Sequence, residues 1–203
     1  MVNKELQQES LTGEHIVLEP LTLEHQAALS IAVSDGNLWE LWYTKVPHPD
    51  DMKSYITSAL ASEARGETLA FVVRCRHSGE VIGCTRICHW YQEHRRLEVG
   101  YTWYAKSAQR TAVNTEVKLL LLSYAFETLD VMAVEFRTHI QNQVSRLAIS
   151  RLGAKQDGIL RNHQLLKDGT IRDTVVYSII DSEWPDIKQG LKQKLLNHQA
   201  ITL

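Results

Sequence analysis

The sequence predicts a mixed α/β or α+β fold, a sheet with helices packed on it, and three observations lead there. Strand-like apolar runs are separated by short turn signals such as His77-Ser78-Gly79. Other segments carry helix caps, an N-terminal Thr, Asn or Pro-Asp and a glycine just past the end. Their order along the chain reads β-α-α-β-β-β-α-β-α-β-β-α, with no internal repeat, linker or low-complexity segment.

Residues 16–21 form the first strand. A helix over 23–33 follows, with Thr22 placed to cap it and Asp35-Gly36 to close it. Residues 37–48 are aromatic, with Trp39, Trp42 and Tyr43, and show no clear period. Pro49, Asp50 and Asp51 then open a second helix that runs to Arg65 and stops at Gly66. Three strands come next, 69–76, 80–90 and 96–104, joined by turns at His77-Ser78-Gly79 and Gln92-Glu93-His94. A helix over 115–129 is apolar almost all round, so it belongs against a sheet. A strand over 133–138 leads to a short helix over 143–152, with Asn142 as its cap and Gly153 just past its end. Strands 158–166 and 171–180 flank the turn Lys167-Asp168-Gly169, and a last helix starts near Trp184-Pro185.

The chain has 203 residues, a length that suits one domain over 1–203 with a single substantial core. Residues 1–12 read as a polar N-terminal extension, and 183–203 as a C-terminal helix and tail. A formal net charge of −2 without a basic run gives no support for nucleic acid or an acidic membrane as partner. No apolar stretch reaches the roughly 18 residues of a membrane span, and residues 1–10 lack the apolar segment of a signal peptide. Three cysteines, Cys75, Cys84 and Cys88, make an odd count that points to a reducing compartment, hence a cytoplasmic protein. Cys84 and Cys88 fall on one strand face without a second ligand pair, so core packing is expected there and no metal.

The stretch Ala108-Gln109-Arg110-Thr111-Ala112-Val113-Asn114-Thr115 joins the strand 97–103 to the long apolar helix. A small-residue turn in that position leaves main-chain N–H groups unpaired, and the helix adds about half a positive charge, so the turn can hold a phosphate. By this context the loop resembles the acyl-CoA pyrophosphate loop of the GNAT superfamily of N-acetyltransferases. The usual family pattern is Gln/Arg-x-x-Gly-x-Gly/Ala, and here alanine (Ala112) and asparagine (Asn114) stand at the two small positions. Further on, Asn142-x-x-Ser145, Leu152-Gly153-Ala154, Gly158-x-Leu160-Arg161 and Asp168-Gly169-x-x-Arg172-Asp173 resemble the branch of ribosomal-protein N-terminal acetyltransferases of the RimL/RimJ type.

The resemblance covers nearly the whole chain and implies a GNAT-like fold, a central mixed, mostly antiparallel sheet of about seven strands flanked by four to five helices. It implies acetyl-CoA as co-substrate, a primary amine as acceptor (a protein N-terminus or a small amine), and a monomer or homodimer. Gln109, Arg110, Thr111, Ala112, Val113, Asn114 and Thr115 would hold the pyrophosphate. The strand before them would splay from its neighbour, so that main-chain groups near Tyr101, Thr102 and Trp103 meet the pantetheine arm. Asn142 would contact that arm, and Ser145 would give a proton to the leaving thiolate. Each also has a plain role at a helix start, where side chains satisfy free N–H groups.

Alternation places Glu98, Gly100 and Thr102 on one face of that strand, and Val99, Tyr101 and Trp103 on the other. Glu98 is one candidate to accept the amine proton; a salt-bridged strand carboxylate is the bland alternative. The branch places side chains of 160–164 toward the acceptor, and in some RimL-like enzymes a glutamate proposed as base aligns close to Gln164, whose amide cannot serve. His163 is the natural replacement, its usual pKa being near 6.5. With no cysteine in the loop or the cap segments, direct attack by the amine is expected. A CoA-binding regulator or sensor without catalysis is the rival reading.

Overall fold

The computed structural model describes Leu6 and residues 8–166 and 168–201, apart from the side chains of 199–201. Eight strands make one sheet: β1 (Leu11–Thr12), β2 (Ile16–Pro20), β3 (Thr68–Cys75), β4 (Val81–Tyr91), β5 (Arg96–Tyr104), β6 (Ala133–His139), β7 (Lys155–Leu165) and β8 (Ile171–Ile180). Their spatial order is β1-β2-β3-β4-β5-β6-β8-β7. Every neighbouring pair is antiparallel except β5 and β6, which run parallel. Residues 11 and 12, assigned to an extension by their polarity, are strand β1, since Leu11 pairs with Leu18 at the sheet edge. Lys167, in the expected turn before β8, lies outside the described residues.

Five α-helices flank the sheet: α1 (Gln26–Ser34), α2 (Met52–Ala64), α3 (Val113–Ser123), α4 (Gln143–Leu152) and α5 (Trp184–Ile201). β3 shows why a continuous apolar run was needed between them. Leu69, Phe71 and Val73 enter one core, while Ala70 and Val72 enter a second core on the opposite face. The first core is closed by Val117, Leu121 and Leu122 of α3, Ile149 and Leu152 of α4, and Trp184 and Leu191 of α5. The second is closed by Leu29 and Val33 of α1 and Met52 and Ile56 of α2. Phe71 is 1% exposed, so truncation to alanine would cost about 3–5 kcal/mol.

The helix expected from 115 begins two residues earlier, and its last turn widens over Tyr124–Thr128, where the Leu129 N–H donates to the Tyr124 carbonyl at 3.0 Å. Its inner face is not wholly apolar. Glu116 is buried because its carboxylate accepts the main-chain N–H groups of His15 and Ile16, at 2.9 and 3.1 Å, where β2 begins. α1 packs over β4 and α2 over β3, with Trp103 of β5 in the same core. The same face over β6, β8 and β7 stays open as a groove lined by Arg96, Glu135, Arg137, Asp157, Leu160 and Ser178. Among the described residues no helix is long and apolar enough to cross a membrane.

Candidate active site

The strand-to-helix turn after β5 is fixed by its own side chains. The Gln109 amide donates to the Tyr104 carbonyl at 3.0 Å, and the Thr111 hydroxyl donates to the Ala108 carbonyl at 2.7 Å. Arg110 takes a left-handed φ of 60°, a conformation that costs a non-glycine residue about 1–2 kcal/mol. Of the main-chain N–H groups from Arg110 to Thr115, only that of Val113 meets an acceptor among the described residues, the Thr111 hydroxyl at 3.3 Å. The first helical bond closes later, from the Glu116 N–H to the Ala112 carbonyl at 3.0 Å. The turn thus presents a row of free donors at the positive end of α3.

Ala112 sits at the helix start with φ −64° and ψ −19°, so the alanine in the glycine position carries no backbone strain. Asn114 lies inside the first turn of α3, where its Oδ1 accepts the Tyr104 hydroxyl at 3.1 Å.

β5 does not alternate to its end. Arg86 pairs with Gly100 and Cys84 with Trp103, so Tyr101 and Thr102 together oppose Thr85, and Tyr101 takes a φ of 51°. This bulge overturns the expected faces. Thr102 turns beneath α3, where its Oγ1 accepts the Lys118 ammonium at 3.0 Å and meets Thr85 Oγ1 at 2.7 Å. The Tyr101 ring swings to the opposite face with Glu98, over the Arg86 guanidinium at 4.4 Å. Lys118 is 6% exposed, and burial pushes its pKa down to about 7.

β5 pairs with β6 only through Arg96, Leu97 and Glu98. Beyond Glu98 the two strands part, while β6 continues to pair with β8 as far as His139 and Thr174. A cleft opens between Gly100–Tyr104 and the end of β6, at the end of the sheet that carries the Gln109–Thr115 turn. On its far side Asn142 caps α4, its Oδ1 accepting the Ser145 N–H at 3.0 Å. The Ser145 hydroxyl has no hydrogen-bond partner among the described residues.

His139 is buried, with the Trp42 ring 5.2 Å from its own. Its Nδ1 accepts the Gln141 N–H at 3.0 Å, so the ring proton of the neutral form sits on Nε2, which is buried without a partner among the described residues. The aromatic segment 37–48, which showed no period, therefore folds over the sheet to roof the end of β6.

Residues 15–155 match the model of the acetyltransferase (GNAT) domain. The chain belongs to the GNAT acetyltransferases. It is 31% identical over 177 residues to YdaF of Bacillus subtilis (strain 168), whose name proposes it as a ribosomal N-acetyltransferase, covering 85% of this chain and 94% of that one. A GCN5-related N-acetyltransferase from Brucella melitensis has a TM-score of 0.84 and 28% identity, over 94% of this chain and 87% of that one. RimL, the ribosomal L7/L12 α-N-protein acetyltransferase in complex with coenzyme A, shares the fold at a TM-score of 0.72 and 17% identity, over 86% of this chain and 99% of that one. The expected family and its RimL-like branch are borne out, with eight strands in the sheet rather than about seven. Acetylation of an amine from acetyl-CoA is the family's general reaction.

In this GNAT chain His163 and Glu98 lie on one face of the sheet. β7 bulges between Leu160 and Gln164, Asn162 takes a φ of 49°, and His163 turns in so that its Nδ1 meets Thr174 Oγ1 at 3.0 Å. Burial, followed by the Arg137, Arg172 and Lys45 charges, holds the His163 pKa below its usual 6.5. Glu98 lies on the same sheet face, but its carboxylate is engaged by His89 Nδ1 at 2.9 Å and stands 3.5 Å from Arg137 Nε. That contact with Glu98 raises the His89 pKa. Cys88, His89 and Glu98 each present a ligand atom within 4.8 Å, yet burial and Glu98 push the Cys88 thiol up, away from thiolate.

Lys118, Lys45 and Arg172 were given no role by sequence reasoning. A lysine inside an otherwise apolar helix pattern, at 118, was the one local signal that could have marked a buried amine.

Proposed function

We propose that this enzyme transfers the acetyl group of acetyl-CoA directly to a primary amine held on the His163 side of the cleft. The observation that carries the reading is the parting of β5 and β6 beyond Glu98 at the same end as a turn of free N–H groups. In this reading, main-chain donors from Arg110 to Thr115 hold the pyrophosphate. The freed edge of β5 at Tyr101–Trp103 pairs with the pantetheine arm and offers an N–H to the negative charge that develops on the carbonyl oxygen.

An alkyl ammonium has no lone pair to attack with, so a proton must leave first. His163 is assigned this step: in the tautomer whose Nδ1–H donates to Thr174 Oγ1, Nε2 is the acceptor, and the surrounding cations favour the neutral ring. Glu98, held by His89 and Arg137, balances charge rather than taking the proton. The Ser145 hydroxyl is assigned proton donation to the thiolate, and the Asn142 amide nitrogen a contact to the arm. No cysteine offers a covalent route: burial raises the Cys84 thiol to about 11 and also raises Cys88. Cys75 lies beside the β3–β4 turn, bonded through its N–H to the Glu80 carbonyl.

Incubation of the purified protein with acetyl-CoA and a panel of amines, read by thiol release and product mass, tests the reading. Thiol release matched by an N-acetyl product is expected. CoA binding by calorimetry without turnover on any amine would replace it with the sensor reading.

A further inference from the structure

The acceptor side of the cleft holds more positive charge than it neutralises. Lys45, Arg86 and Arg172 have no carboxylate within 4.0 Å among the described residues. Arg86 is 7% exposed, and its Nε and Nη2 are buried without a partner among the described residues. Its guanidinium is clamped between the Tyr55 and Tyr101 rings, 4.4 Å from each centroid. Arg172 spends one N–H on Thr174 Oγ1 at 2.9 Å, on the hydroxyl that also meets His163. Burial depresses both Lys45 and Arg172, and Lys45 is depressed further by the Arg172 charge. The acid that faces them, Glu98, is already shared by His89 and Arg137. Beside Arg172, the His139 Nε2 donor is buried with no partner among the described residues.

Unpaired cations and an orphan donor in a partly dry cleft are costly unless something anionic completes them. We propose that Lys45, Arg172 and the His139 Nε2–H form a receiving site for a carboxylate carried by the acceptor amine, with Arg86 behind Tyr101 fixing the positive field. The carboxylate sits on a free amino acid or on an acidic side chain close to a peptide N-terminus. Polyamines are disfavoured, because each further ammonium meets like charge. The same field favours loss of the proton from the attacking amine.

The inference rests on the acetyltransfer reading, and the experiment separates the two. Initial rates are measured with acetyl-CoA and the peptide amides Ser-Asp-Glu-Ala and Ser-Asn-Gln-Ala, with free serine against serinamide, which lacks the α-carboxylate, and with spermidine. At least one acidic member should exceed its amide partner about tenfold in kcat/KM, and the excess should shrink as salt is raised. The pair that shows it identifies the source. Lys45→Gln and Arg172→Gln should bring that ratio to within about twofold of one while calorimetric CoA affinity holds. Equal rates for acidic and neutral partners would overturn the inference and leave the acetyltransfer reading standing. So would loss of CoA affinity in either variant, since the cations would then serve the co-substrate. If no amine turns over, calorimetry of the two peptides with the CoA-loaded protein decides: tighter binding of the acidic peptide supports the site, and equal binding overturns it.

Discussion

The turn from Gln109 to Thr115 faces the cleft with main-chain N–H groups, whereas the opposite wall faces it with side chains from Trp42, Lys45, His139, His163 and Arg172. The first wall is contiguous in sequence, and its donors are present whatever side chains stand there. Ala112 and Asn114 can therefore replace the family's small residues, Ala112 in an ordinary helical conformation and Asn114 bonded to Tyr104. The second wall is assembled from segments up to 130 residues apart, and its chemistry changes with every substitution. Co-substrate binding should accordingly tolerate side-chain changes, and the choice of acceptor should not.

The largest effect expected on this contrast comes from the side-chain wall. His163→Gln should lower turnover about a hundred- to a thousandfold with CoA affinity retained. In the unaltered enzyme the rate should rise with pH through an ionisation below 6.5, because burial and the Arg137, Arg172 and Lys45 charges depress the His163 pKa and only the neutral ring accepts a proton. The variant's profile should lack that step. Full rate and an unchanged profile would pass the proton to ordered water instead.

Lys118 tests the floor beneath β5. Its ammonium loses its proton at about 7 in the folded chain against 10.5 in the unfolded one. The unfolded state therefore binds more protons between those values, and stability should climb as pH rises through that window. Lys118→Met should abolish the climb and, near pH 6, exceed the parent by about 1–3 kcal/mol in urea unfolding. A parent curve parallel to that of the variant would mean that the amine finds compensation in the fold.

A pair of variants at one position sharpens the contrast on the main-chain wall. Asn114→Pro removes an N–H in a first helical turn, where proline is tolerated, and should weaken CoA binding by about 1–3 kcal/mol. Asn114→Ala keeps the N–H and should bind CoA within about threefold of the parent, though it loses the Tyr104 bond and about 1 kcal/mol of stability. Equal losses of affinity in both variants would show that the side chain matters there after all.

The smallest effect is at α4. Asn142→Ala should cost about 1 kcal/mol of stability through the lost cap on the Ser145 N–H, and any fall in CoA affinity beyond that marks the proposed contact to the arm. Ser145→Ala should lower kcat more than it raises the KM for acetyl-CoA; unaltered kinetics would leave that serine structural.

Much of the frame was legible because its signals are local. Asn142 and Gly153 bound α4 as their types require, and the turns at 77–79 and 92–94 follow from Ser-Gly and from a left-handed Arg95. The bulge at Tyr101 was not legible. Strict alternation is the default for a strand, and nothing in Gly100-Tyr101-Thr102 announces that Tyr101 takes a positive φ. One inserted residue exchanged the faces of Tyr101 and Thr102, so the ring meets Arg86 and the hydroxyl meets Lys118. Glu98 was nominated by its face alone; only its neighbours His89 and Arg137 show that its lone pairs are engaged.

By itself the sequence determined the order of elements, the anion-ready turn at the head of α3 and the family, because hydrophobic period, caps and loop composition act over a few residues of chain. The tertiary structure decided where β5 leaves β6, which way Tyr101 and His163 turn, and that Lys45, Arg86 and Arg172 have no ion-pair partner among the described residues. Charge and proton affinity depend on distance in space and on exclusion of water, and neither follows from distance along the chain.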